Sequence, residues 1–322
     1  MSISADDILL AARRLDGHIR RTPVMPLETG SFDLPAQLVL KLESLQHAGS
    51  FKVRGAFNAL LAASERAAGV PAAGVIAASG GNHGAAVAYG AKSLGHRAEI
   101  FVPEVANPAK IQRLRDFGAK LHIGGASYAE ALQACQARQR ETGALSVHAY
   151  DEPAVLAGQG TLARELQEQA PELDTVLVAV GGGGLIGGIA AWYATSGNAH
   201  SPNVIAVEPE ACPTLHNALA AGHPVDVEVG GIAADSLGAK RIGTLMFDIA
   251  RHAIASSLLV SDDDIRRTRH LLWRDFRLAV EPGGATALAA LLSGRYTSRP
   301  GEKIGVIVCG GNTDPTDLAQ PL

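Results

Sequence analysis

Short apolar runs alternate along most of this chain with longer Ala- and Leu-rich stretches of helical period. The pattern predicts strands at residues 39–42, 75–78, 98–102, 120–123, 175–180 and 204–207, with a last strand at 304–308. Helices are expected over 51–63, from the Gly-rich turn after 78 through 94, from 108 to about 117, and over 128–141, 160–169 and 185–194. A helix is also expected at the start, with Ser4 as N-cap and Asp6 and Asp7 in its first turn. Strand and helix alternating in this way imply parallel sheets with helices on both faces. The expected fold is therefore α/β, with two domains that each carry a mostly parallel sheet flanked by helices. The second sheet is expected to claim the N-terminal segment. That makes residues 1–66 and 152–322 a larger domain and residues 67–151 an insertion.

Composition narrows the function. The 322 residues are 47% hydrophobic and 19% charged, which suits a sizeable core rather than disorder. The formal net charge is −4 and no Lys/Arg run occurs, so neither nucleic acid nor an anionic membrane is an expected partner. A small-molecule ligand is. Cys135, Cys212 and Cys309 are scattered and odd in number, so reduced thiols in a cytoplasmic protein are expected rather than disulfides or zinc. The N-terminus lacks a basic n-region, and no apolar run reaches the roughly 18 residues of a membrane helix. His18, His47, His96, His122, His148, His200, His216, His223, His252 and His270 show no metal-ligand spacing.

Three Gly-containing segments carry candidate chemistry. In Ser50-Phe51-Lys52-Val53-Arg54-Gly55 a lysine falls at a helix start, beside an aromatic ring. The positive end of the helix lowers the pKa of such an amine and favours the neutral form that attacks an aldehyde. Taken alone, the same lysine reads as an ordinary surface residue. Ser79-Gly80-Gly81-Asn82-His83-Gly84 follows a strand and opens a helix. Its free N–H groups, hydroxyl and amide suit a carboxylate. Gly181 to Gly184, followed by Leu185, come after another strand and suit a phosphate. These last glycines can also be aligned to a dinucleotide-binding pattern through Gly182 and Gly184, with Glu208 placed as a ribose-binding acid. That alternative leaves the other two segments unexplained.

Together these segments resemble the fold-type II pyridoxal-phosphate enzymes, within them the threonine/serine dehydratases and serine racemases. The resemblance also rests on residues 21–24 (RTPV), 152–161 (EPAVLAGQGT), 206–210 (AVEPE), 281–285 (EPGGA) and 309–312 (CGGN). It implies pyridoxal 5′-phosphate as cofactor, Lys52 as the Schiff-base lysine and Phe51 beside the ring. It places Asn82 on the ring oxygen, Gly181, Gly182, Gly183, Gly184 and Leu185 on the phosphate, and Cys309 against the pyridine nitrogen. Ser79, Gly81, Asn82 and His83 would take the substrate carboxylate. The implied reaction is β-elimination from a small β-hydroxy amino acid such as threonine or serine, and the implied assembly is a homodimer.

Departures from the family pattern sort the relatives. Serine racemases carry a serine as second acid/base at the position of Gly80, which has no side chain, so elimination is expected over racemisation. Tyr150 points the same way, because dehydratases tend to have an aromatic residue there. A divalent cation is doubtful: Glu208 matches one carboxylate ligand, Cys212 offers only a carbonyl, and Thr214 replaces the second carboxylate. A dehydratase for phenylserine or 3-hydroxyaspartate remains open. The chain ends soon after residue 312, so a regulatory domain and feedback control are not expected.

Overall fold

The computed structural model describes residues 3–319. Helix α1 (Ala5–Leu15) opens on a capping box, in which Ser4 Oγ accepts from the Asp7 N–H and the Asp7 carboxylate accepts from the Ser4 N–H. Then come β1 (Val24–Pro26), β2 (Gln37–Lys41), α2 (Lys52–Ser64), β3 (Val75–Ala78), α3 (Asn82–Ser93), β4 (Ala98–Val102) and α4 (Pro108–Asp116). They are followed by β5 (Lys120–Ile123), α5 (Tyr128–Thr142), β6 (Leu145–Ser146), α6 (Pro153–Gln169), β7 (Thr175–Ala179), α7 (Gly184–Thr195) and β8 (Asn203–Pro209). The C-terminal part adds α8 (Thr214–Ala221), α9 (Ala234–Leu237), α10 (Thr244–Ala253), β9 (Ser256–Val260), α11 (Asp262–Phe276), α12 (Pro282–Leu292), β10 (Lys303–Ile307) and α13 (Thr316–Ala319).

Two sheets result, as the alternation implies. The larger has the order β1-β2-β10-β7-β8-β9, parallel except for β1. The smaller has the order β5-β4-β3-β6 and is parallel throughout. Strands β7 and β10 are buried along most of their length and read as continuous apolar runs, because helices cover both faces of the larger sheet. Phe57 and Leu60 of α2 pack instead with α3 and the smaller sheet.

Both sheets have a switch point, where successive strands step off in opposite directions and leave a crevice at their carboxyl ends. In the larger sheet it lies between β7 and β10; in the smaller it lies between β3 and β6. Strand β6 has two residues and was not anticipated, and neither was any element from 214 to 292. Helix α6 starts at Pro153 rather than 160, with proline in its first turn, where the missing N–H is harmless.

Candidate active site

The residues expected in the site come mostly from those two switch points. Phe51, Lys52, Asn82, Gly181, Gly182, Gly183, Gly184, Leu185 and Cys309 line one cavity, joined by Ser236, Glu281 and Gly283. The glycines follow β7, Cys309 follows β10, and Asn82 follows β3.

Lys52 is the first residue of α2, and its Nζ donates to the Ala149 carbonyl at 2.9 Å. Burial lowers its pKa to about 8, against the opposing pull of Cys309 and Glu281. Its helix is anchored by Arg54, two residues on and fully buried, whose guanidinium grips Glu43 at 2.8 and 2.7 Å and reaches Glu165 at 3.1 Å. Such a buried pair adds little net stability. Removing one partner, however, strands a charge at a cost of about 3–5 kcal/mol, so the network fixes where α2 begins.

The glycine turn is packed against protein on its outer side. A methyl group on Gly181 would lie 2.8 Å from the Leu237 carbonyl, and one on Gly182 would run into the Tyr150 ring. On Gly184 it would meet Tyr150 Cβ at 2.9 Å, and Gly183 needs a left-handed φ of 89°. The backbone bonding of α7 begins with Gly187 N–H to Gly183 C=O at 2.8 Å. The N–H groups ahead of it form a phosphate-sized cradle of uncommitted donors at a helix N-terminus.

Asn82 is held by two neighbours. Its Nδ2 donates to Glu281 Oε1 at 2.6 Å, and its Oδ1 accepts from Asn312 Nδ2 at 2.6 Å. One N–H of the amide is left for a ligand. Glu281 was not singled out from sequence. Burial raises its pKa to about 7, and the Asn82 bond opposes that. The Glu-Pro start of α12, with proline at N1, was the available signal for a residue fixed at a helix entrance. Cys309 Sγ donates to the Gly283 carbonyl at 3.3 Å, and burial pushes its thiol far up, so it stays neutral. These residues fit pyridoxal phosphate: an amine of lowered pKa, a phosphate cradle and a neutral partner share one cavity.

At the second Gly-rich turn, Ser79 Oγ accepts from the Gly81 N–H at 3.2 Å, and Gly81 is the N-cap of α3. The His83 imidazole is buried, its Nε2 lies 2.9 Å from the Val147 carbonyl, and burial lowers its pKa to about 3. Glu208 ends β8, where its four hydrogen bonds come from the N–H groups of Leu215 (2.7 Å) and His216 (2.8 Å) and the hydroxyls of Thr214 (3.0 Å) and Ser257 (3.1 Å). The carboxylate caps α8, with its bonds made within the chain. Among the described residues no group of three or more His, Cys, Asp or Glu is placed to hold a metal.

The family model for pyridoxal-phosphate dependent enzymes matches residues 15–310. An L-threonine ammonia-lyase of Geobacter sulfurreducens is 39% identical, over 94% of this chain and 73% of that protein. A phenylserine dehydratase of Ralstonia pickettii is 36% identical, over 96% and 93%. The solved structure of maize serine racemase superposes with a TM-score of 0.90 at 35% identity, covering 99% of this chain and 97% of that one. The chain belongs to the fold-type II pyridoxal-phosphate enzymes, in the branch of threonine/serine dehydratases and serine racemases.

Proposed function

We propose that this protein is a lyase that eliminates water from a small β-hydroxy amino acid, giving an enamine that takes up water again to yield a 2-oxo acid and ammonia. The observation that carries the proposal is the Lys52 amine, desolvated to a pKa of about 8 between a glycine cradle and Asn82. Pyridoxal phosphate, when bound, supplies an aldehyde for amines and an electron-accepting ring that acidifies the substrate Cα–H. In this reading Lys52 carries the cofactor, gives way to the substrate amine, and then takes the Cα proton as general base. The N–H groups of Gly181 to Gly184 and Leu185 hold the phosphate. Phe51 flanks the ring, and Asn82, steered by Glu281, offers its remaining N–H to the ring oxygen. The neutral Cys309 thiol faces the ring nitrogen without adding charge, which suits a reaction whose electrons leave promptly with the β-hydroxyl. Ser79, Asn82 and His83 take the substrate carboxylate, with Gly81, whose N–H is held by Ser79 Oγ, shaping the turn.

The same reading makes residues 67–151 a smaller domain that closes on residues 1–66 and 152–322. Side-chain links already span that boundary: Asn82 to Glu281 and Asn312, Lys110 to Asp235, and Arg113 to Asn312.

The substrate class is threonine or serine, by similarity to the ammonia-lyase relative. The test is 2-oxo acid release from L-threonine, L-serine, phenylserine and 3-hydroxyaspartate, with 2-oxobutanoate or pyruvate expected as the leading product. Racemisation is the second reading, favoured by the maize structure and opposed by Gly80. D-serine forming faster than pyruvate from L-serine would overturn the lyase assignment.

A further inference from the structure

The turn between β6 and α6 touches the site at three places, and one imidazole shapes it. His148 Nδ1 accepts from the Tyr150 N–H at 3.2 Å and from the Asp151 N–H at 2.8 Å. The His148 N–H in turn donates to Glu152 Oε2 at 3.3 Å. A ring nitrogen that accepts two N–H groups is unprotonated, so the ring proton sits on Nε2. The backbone fixed in this way presents three different groups. The Ala149 carbonyl accepts from Lys52 Nζ at 2.9 Å. The Tyr150 ring backs Gly182, its Cβ and backbone lie against Gly184, and the ring meets the His148 ring edge-on with centroids 4.9 Å apart. The Asp151 carboxylate accepts from the N–H groups of Thr244 (2.9 Å) and Leu245 (3.0 Å), capping α10, whose Met246 packs under Gly183 and Gly187.

We infer that His148 is a positioning residue: by accepting the Tyr150 and Asp151 N–H groups, it sets the Ala149 carbonyl against Lys52 and the Tyr150 ring against the glycine turn. This rests on Lys52 being the cofactor-bearing lysine. The turn has no ladder of its own, and no other acceptor for these two N–H groups exists among the described residues. Only the Nδ1 acceptor is needed for this role. Asparagine supplies the closest substitute, because its side-chain oxygen accepts from N–H groups two residues on in Asx turns.

The test uses apoprotein of wild type, His148→Asn, His148→Ala and His148→Leu, mixed with pyridoxal phosphate and quenched with borohydride at intervals. Label at Lys52 is quantified by peptide mass spectrometry, and thermal midpoints are measured in parallel. His148→Ala and His148→Leu are expected to label about tenfold more slowly than wild type. His148→Asn is expected to stay within about threefold of wild type. If His148→Ala does not fold, His148→Leu, which keeps much of the volume without the acceptor, carries the test. Labelling of the Ala or Leu variant at the wild-type rate would overturn the proposal. Equal slowing in all three variants would also overturn it, by assigning the effect to ring packing. A wild type that takes no label at Lys52 would instead remove the cofactor-bearing role of Lys52 on which the proposal stands.

Discussion

Two Gly-rich turns, each passing from a strand to a helix, supply donors to the same cleft, and they are built in opposite ways. Around Gly181–Gly184 the protein presses from outside: Leu237, Tyr150 and Met246 fill the space where side chains would begin. Around Gly80 and Gly81 the packing is looser: methyl groups there would make ordinary van der Waals contacts, at 3.6 Å with Ala106 and Val102 and at 3.7 Å with the Asp235 carbonyl. A cradle with its walls packed rigid suits a group that stays through every turnover. A looser one suits a group that enters and leaves. In the proposed reading the tightly packed turn takes the resident phosphate and the looser one the exchanging carboxylate.

Lys52 is what makes the two cradles one site, so its removal should have the largest effect. Lys52→Ala is expected to abolish borohydride trapping and lower 2-oxo acid release by about a thousandfold or more, leaving both cradles folded. Residual turnover near wild type would mean that the turns serve some other chemistry. Next in size is the contrast between the turns themselves. Gly182→Ala drives a methyl into the Tyr150 ring. Overpacking of about 1–3 kcal/mol is expected there, roughly tenfold to a hundredfold in cofactor affinity. Gly81→Ala is expected to leave cofactor affinity within about twofold and to raise KM for the amino acid instead. Cofactor titration and steady-state kinetics on the pair decide it; equal cofactor losses in both variants would erase the distinction.

Protonation offers a smaller lever. Lys52 is held at about 8 in the folded protein against 10.5 for an ordinary lysine. Capture of pyridoxal phosphate by the apoprotein should therefore speed up with rising pH and level off above about 8. Between about 8 and 10.5 the unfolded chain binds the extra proton, so apoprotein stability should rise with pH across that window. Glu281 acts in the other sense. Its pKa is raised from 4.5 to about 7, so the folded state binds the extra proton and stability should fall as pH rises through that range. Glu281→Gln keeps an acceptor for Asn82 and removes the nearby anion. The capture midpoint should then move down by about half a pH unit, which stopped-flow absorbance across a pH series would detect. An unmoved midpoint would mean that Lys52 does not feel Glu281.

Much of this site was legible because donors at helix starts need local glycine and polar residues, and those are written in short segments. The 79–84 and 181–184 turns could be named from residue types, whereas the lysine at the start of α2 and the thiol after β10 gained their roles only from the resemblance of the whole set of segments to the family. What escaped depended on distant partners. Strand β6 is two residues long and takes its conformation from pairing with Val75 and Ile76, so no periodicity could announce it. Without β6 the second switch point, and the turn that carries His148, stayed hidden. The contact of the His83 ring with the Val147 carbonyl, 64 residues away, also depends on that turn. Helix α11 is a different kind of miss, because its Ser261–Asp264 capping box was present in the sequence.

The smallest expected effect concerns a third strand-to-helix turn, which completes the series. At the end of β8 the first N–H groups of α8 are taken up by the chain's own Glu208, with Thr214 and Ser257 filling the remaining acceptor sites. Burial raises this carboxyl to about 7 against the pull of its four donors. Thr214 Oγ1 also lies 2.7 Å from the Gly181 carbonyl, so this internal cap braces the proposed phosphate turn from behind. A carboxylate already occupied by N–H and O–H donors is poorly set to take a cation. Chelation, or added Mg²⁺ or Ca²⁺, should therefore move the thermal midpoint by no more than about 1 °C. Glu208→Ala strands three donors, the N–H groups of Leu215 and His216 and the Ser257 hydroxyl, each costing about 1–3 kcal/mol when left buried and unpaired, and should lower the midpoint by several degrees with or without cation. A cation-dependent rise in the wild-type midpoint that Glu208→Ala abolishes would reverse the assignment: the third turn would then hold a ligand as the other two do, and Glu208 would be part of it.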